Sequence, residues 1–108
     1  WVAAFLRSEN GEGMPAVVAR RGASEAGAIF LVIDHLDATL SLFGPAPQTL
    51  AGESDGAGRV FEAIFMHGEV SAIREYLDRQ IRFDADCWIV ETERREGLPS
   101  MLAEALTR

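Results

Sequence analysis

Apolar and polar positions in this chain follow two different periods, and the switches between them mark its elements. The clearest helical period is Val70, Ile73, Leu77 and Ile81, apolar residues at steps of three and four. Glu75 with Arg79 and Asp78 with Arg82 stand four apart in the acid-before-base order that supports a helix. A helix is therefore predicted from Val70 to Phe83, with Ser71 as its N-cap. Gly27 opens the unbroken apolar run Ala28-Ile29-Phe30-Leu31-Val32-Ile33, which reads as a central strand buried on both faces. Asp34-His35-Leu36-Asp37 supplies turn residues, and Thr39 to Phe43 alternates polar with apolar as the wetter second strand of a hairpin. Gly44-Pro45-Ala46-Pro47 ends that hairpin, since proline cannot donate to a ladder and constrains its predecessor. Gln48 to Arg59 reads as an exposed loop.

Further strands are predicted over Ala16 to Ala19, Val60 to Met66 and Cys87 to Glu93, the last with a central apolar start and an exposed acidic end. At the amino end, Trp1, Ala4, Phe5 and Ser8 fit a helical stripe while Trp1, Ala3 and Phe5 fit a strand. The helix is preferred, with Asn10, Gly11 and Gly13 as its stop. Met101 to Leu106, behind Pro99, reads as a short helix. Together these predict one α+β domain over residues 1–108, a mostly antiparallel sheet of about five strands with the Val70 helix on one face and short terminal helices flanking it. Trp88, Ile89, Val90, Phe30, Val32, Leu77 and Ile81 are expected to share one contiguous core.

Composition narrows the function classes. Hydrophobic residues make up 48% and charged residues 25% of the 108, which argues against disorder. All ten basic side chains are arginine, so a lysine Schiff base and the lysine of a phosphate-gripping P-loop are excluded. The net charge of −7 works against nucleic acid and anionic membranes. No apolar run approaches the roughly 20 residues that span a bilayer, and no signal segment opens the chain, so the cytoplasm is the expected compartment. Beginning at Trp1 without an initiator methionine, the chain reads as trimmed. The single cysteine, Cys87, cannot close an internal disulfide or hold a structural zinc alone.

Several pieces occur in order: Trp1-Val2-Ala3-Ala4-Phe5-Leu6-Arg7, Arg20-Arg21-Gly22, Ala26-Gly27-Ala28, Gly44-Pro45-Ala46-Pro47, Arg79-Gln80 and Phe83-Asp84-Ala85-Asp86-Cys87-Trp88-Ile89-Val90-Glu91. Over nearly its whole length the chain thereby resembles the domain-of-unknown-function 1491 family of small bacterial proteins. The resemblance implies a single α+β domain and no assigned activity. In that family an acidic residue often follows the glycine of the arginine pair and a lysine often sits on the central strand. Here those places hold Ala23 and an all-apolar run, which weighs against a charged site on that loop and strand.

Two clusters carry candidate chemistry. Arg20 and Arg21 before Gly22 form a corner suited to an anion or a partner, because guanidinium forks match phosphate and carboxylate and glycine lets the backbone turn. Against this stands the plainer expectation that one arginine is solvated and the other pairs with Glu25 or with Glu91 and Glu93. Asp84, Asp86, Glu91 and Glu93 are the densest carboxylate group, and on a loop leading into a strand they could converge on a hard divalent cation. Asp84 and Asp86 precede the strand, however, up to roughly 20 Å from Glu91 if extended. An aspartate turn followed by an acidic strand end beside Arg94 and Arg95 is the expectation. His35 is expected at the surface of the hairpin turn, His67 at a strand end, and Cys87 as a buried, inert thiol.

No nucleophile with a base, metal-ligand spacing or phosphate loop emerges from the sequence. The expectation is a non-enzymatic accessory or protein-binding domain with no cofactor. The alternative is a small divalent-metal-dependent hydrolase or nuclease using segment 84–93. A homodimer is also expected, because Ala16 to Ala19 or Val60 to Met66 should form a sheet edge, and Phe61 or Phe65 would contribute to the contact.

Overall fold

The helical period at the centre of the chain becomes helix α2 (Val70–Phe83), which buries Ile73 and Leu77, and the strands around it form a five-stranded sheet. The computed structural model describes residues 1–24, 27–47 and 59–106. In chain order these are α1 (Val2–Gly11), β1 (Ala16–Arg20), β2 (Ile29–Asp34), β3 (Thr39–Pro45), β4 (Phe61–Glu69), α2, β5 (Trp88–Glu93) and α3 (Ser100–Ala105). The strand order is β1-β5-β2-β3-β4. β2, β3 and β4 form an antiparallel meander, α2 carries the chain back across the sheet, and β5 inserts parallel to β2 and antiparallel to β1. The architecture is α+β and mostly antiparallel, and the amino end is helical, α1 with Trp1 at its N-cap.

The apolar run of β2 is central and buried on both faces, but its two faces feed two cores. Ile29, Leu31 and Ile33 join Trp88, Val90, Phe43 and Phe61 beneath Phe5 of α1 and Leu102 of α3. Phe30 and Val32 join Ile89, Leu40 and Leu42 beneath Ile73 and Leu77 of α2, with Ile81 packed at the margin. The single contiguous core expected from sequence is thus two, because side chains on a strand alternate and the sheet is covered on both sides. Trp88 and Val90 lie across the sheet from Leu77.

β3 is also drier than its alternation suggests: Leu40 to Gly44 are all buried, Ser41 included, since the strand is interior to the sheet and feeds both cores, Phe43 one and Leu40 and Leu42 the other. Ser71 does not cap α2. β4 runs through to Glu69, which takes the N-cap position with extended backbone and no side-chain cap, so strand and helix join without a loop. Neither Glu75 with Arg79 nor Asp78 with Arg82 closes into a salt bridge among the described residues. Arg79 lies over the Tyr76 ring at 5.9 Å instead, and Arg74 reaches Glu91 at 3.0 Å. The predicted loop from Gln48 lies outside the described residues up to Arg59, which donates to the Gly27 carbonyl at 3.1 Å.

Candidate functional site

The most concentrated polar chemistry lies inside the fold. In α1 the stripe Trp1, Phe5, Glu9 repeats every fourth residue, so Glu9 occupies a core-facing position and is 0% exposed. On β5 the alternation Trp88, Val90, Thr92 faces the same way, and Arg94, just past the strand, continues it at 9% exposed. The two charges meet in a bidentate pair: Arg94 Nη2 donates to Glu9 Oε1 at 2.8 Å and Nε to Oε2 at 3.1 Å. The Thr92 hydroxyl also donates to Glu9 Oε2, at 2.7 Å. Arg94 Nη2 further donates to Glu12, whose other oxygen accepts from the Ser100 hydroxyl at 2.9 Å. Those hydrogen bonds, the one from Arg94 first and the one from Ser100 second, hold the Glu12 carboxyl below its ordinary value of 4.5. The Arg94 guanidinium is held above its own ordinary value, chiefly by the hydrogen bond to Glu9.

The backbone of Arg94 extends this seam to a pair of histidines. His35 is buried, not at the surface as expected, and its Nδ1 stands 2.9 Å from the Arg94 carbonyl. A carbonyl only accepts, so Nδ1 carries the proton, and in the neutral ring Nε2 accepts from the Ser41 hydroxyl 2.7 Å away. Ser41 Oγ in turn accepts from the His67 amide at 3.0 Å. His67 lies within β4 and not at its end, since Ser41 alone stands opposite both Met66 and His67 in a β-bulge. The bulge puts His67 at φ 52°, a conformation rare for a non-glycine residue, and lays its ring on His35 with centroids 3.9 Å apart. At the turn, the Thr39 hydroxyl and then its amide donate to Asp37 and hold that carboxyl below the ordinary range.

A serine bonded to a histidine that a third group orients is the arrangement that activates a nucleophile. Here Ser41 is 0% exposed and its oxygen is already taken by the His67 amide, so no substrate atom can reach it. The seam ties α1, β2, β3, β4 and the end of β5 to one another. From sequence His35 and His67 are expected apart, at a hairpin surface and a strand end, and no sequence motif groups the members of the seam. Their signal was a charged residue at a position where the period demands an apolar one, Glu9 on the stripe of α1 and Arg94 on the inward face of β5.

The predicted site residues are dispersed. Arg20 ends β1 and Arg21 follows it, and they turn to different partners: Arg20 Nη2 donates to the Ala85 carbonyl at 2.9 Å, and the Arg21 guanidinium lies 5.3 Å from the centre of the Trp88 ring. Neither pairs with Glu91 or Glu93, and Glu25 lies outside the described residues. Gly22 is required where it stands, because a methyl there would overlap the Asp86 carbonyl oxygen. Asp84 and Asp86 flank the entry to β5, Asp84 Oδ1 accepting from the Asp86 amide at 3.0 Å, whereas Glu91 and Glu93 stand near its other end. Among the described residues no three His, Cys, Asp or Glu side chains are grouped to hold a metal ion. Cys87 is buried.

Outward-facing features lie at the sheet's margins. β1 and β4 are its two edges. Beside β1 a shallow depression of about 90 Å³ is bordered by Val17, Asp34, Glu91 and Glu93, and Val17 is 59% exposed. A second depression, of about 210 Å³, lies between Trp1, Trp88 and Arg59. No helix among the described residues is long and apolar enough to cross a membrane.

Comparison with known proteins matches this fold. A solution structure of an A. tumefaciens protein shares 40% identity, covering 89% of this chain and 83% of that one, with a TM-score of 0.77. A crystal structure of a DUF1491 family protein from Caulobacter crescentus CB15 shares 30% identity over 100% of this chain and 93% of that one, again at 0.77. An NMR structure of a DUF1491 family protein from the same organism gives the same identity and coverage at 0.74. No curated protein matches the chain. The model of the family described as protein of unknown function DUF1491 matches residues 1–101, and the chain belongs to that family.

Proposed function

We propose that the protein is a non-enzymatic accessory domain of the cytoplasm that works by binding another protein chain. The observation that carries this reading is where its chemistry points. Ser41, His35, Glu9, Arg94 and Cys87 are all turned into the fold, while the backbone of edge strand β1 and the side chain of Val17 face outward. An open strand edge binds chains by extending the sheet, with main-chain hydrogen bonds supplying affinity and neighbouring side chains supplying choice.

Cross-linking of the full chain in a cell lysate, read by mass spectrometry, tests it. The expected result is cross-links to a protein chain that are lost in a Val18→Pro variant whose thermal unfolding is unchanged. A metal-dependent hydrolytic activity that disappears in Asp86→Ala and Glu91→Ala would replace this reading with an enzymatic one.

A further inference from the structure

We propose that β1 pairs antiparallel with β1 of a second copy of this chain, across a two-fold axis at Val17. The inference deepens the protein-binding reading and rests on it. Its starting point is which backbone groups of β1 are free. The Pro15 carbonyl accepts from the Glu93 amide at 3.2 Å, and the register continues as Ala16 with Thr92, Val17 with Glu91 and Val18 with Val90. In an antiparallel ladder bonded and non-bonded pairs alternate, so Pro15 and Val17 turn their polar groups to β5 while Ala16 and Val18 turn theirs outward. Proline's missing donor thus falls on the β5 side and leaves the outer edge intact.

The opposite edge is less open. The start of β4 is already bridged in parallel by Leu106, two irregularities interrupt its register, and His67 adopts a left-handed conformation. Bulges of this kind are how sheet edges are blunted. Phe61, expected from sequence to face a partner, is 1% exposed and lies under Trp1 with centroids 5.1 Å apart. β1 carries one irregularity of its own, between Val18 and Arg20, but Ala16 to Val18 ahead of it keep an unbroken register, and among the described residues no further strand or bridge lies on their outer side.

Charge selects the occupant. Arg20 and Arg21 stand at the carboxyl end of β1, Arg20 held by the Ala85 carbonyl and Arg21 exposed against the Trp88 ring. At the amino end stand Glu93, the register neighbour of Pro15, then Asp34 on β2, and Glu12 at the close of α1. A strand with one basic end and one acidic end is complementary to itself only when antiparallel, which a two-fold axis imposes. With Val17 opposite its own copy, Ala16 meets Val18 twice over, giving about four backbone hydrogen bonds, and the Arg21 end of each strand lies alongside the Glu93 end of the other. The exposed Val17 side chains would then cover one another at the axis.

Oxidative cross-linking of the full chain tests the geometry. Val17 across the axis is a non-bonded pair, whose Cα atoms stand about 4.5 Å apart, within disulfide range. Cys87 is buried and does not compete. The Val17→Cys variant should form a disulfide-linked dimer under mild oxidation, and a Met66→Cys variant on β4 should not. Light scattering of the wild type should show dimer, weakened about tenfold by Arg21→Glu and by high salt. A dimer that cross-links through Met66→Cys instead would overturn the β1 pairing, as would a monomeric wild type without a Val17→Cys cross-link. If that monomer still binds another protein and loses it on Val18→Pro, the protein-binding reading stands without the second copy; if it binds none, both fall.

Discussion

Single residues carry the buried charges of this protein, and the cost of disturbing them is set by what is left behind. Removing Arg94 would strand the Glu9 carboxylate without its cation in a site with no exposed surface. Arg94→Met should therefore cost about 3–5 kcal/mol, and the double variant Glu9→Leu with Arg94→Met should recover much of that loss, since an apolar pair has no charge to desolvate. Urea unfolding of the wild type, both single variants and the double closes the cycle. Glu12, more exposed, supplies a pH dependence. Its folded carboxyl is held below the ordinary 4.5, so the unfolded chain takes up its proton first as acid is added. The contribution is complete above 4.5 and is lost as pH falls through the lower folded value. Glu12→Gln should lower stability at neutral pH and flatten the decline in urea midpoint from neutral pH to about pH 3.

At the scale of elements, periodicity was legible almost everywhere that packing obeys it. α2 occupies its predicted span because its stripe Ile73, Leu77 faces Phe30, Val32 and Ile89. Leu77→Ala should cost about 2–5 kcal/mol in chemical denaturation, and a change under about half a kcal/mol would mean that the helix packs elsewhere. Two glycines separate local from tertiary constraint. Gly22→Ala drives a methyl into the Asp86 carbonyl and should lower the thermal midpoint, whereas Gly11→Ala in the last turn of α1 meets open space and should raise stability by about 0.5–1 kcal/mol. Element junctions were harder to read. The direct join of β4 to α2 and the double opposition of Met66 and His67 to Ser41 depend on partner strands, which no local pattern encodes.

For the whole molecule, the placement of β5 governs what the carboxylates can do together. Asp86 precedes the strand and Glu91 lies toward its far end, about 16 Å away at the usual rise per residue. Calorimetric titration with Mg²⁺ or Mn²⁺ is therefore expected to show no micromolar binding, and such binding abolished by Asp86→Ala with Glu91→Ala would revise the reading of the whole acidic segment. The α+β class, the five strands, the central place of β2 and the helix over Val70–Phe83 followed from the sequence alone, because each depends on the period of side chains along a single element. Tertiary structure alone decided that the core is double and that Glu9 meets Arg94. It also decided that His35 is buried beneath His67 and that the arginines of β1 part company. Those facts depend on which elements become neighbours, and β5, last of the strands in sequence, is inserted between the first two. Residues more than eighty positions apart, such as Glu9 and Arg94, are thereby brought into hydrogen-bond contact, and no short-range pattern in the chain reports that distance closed.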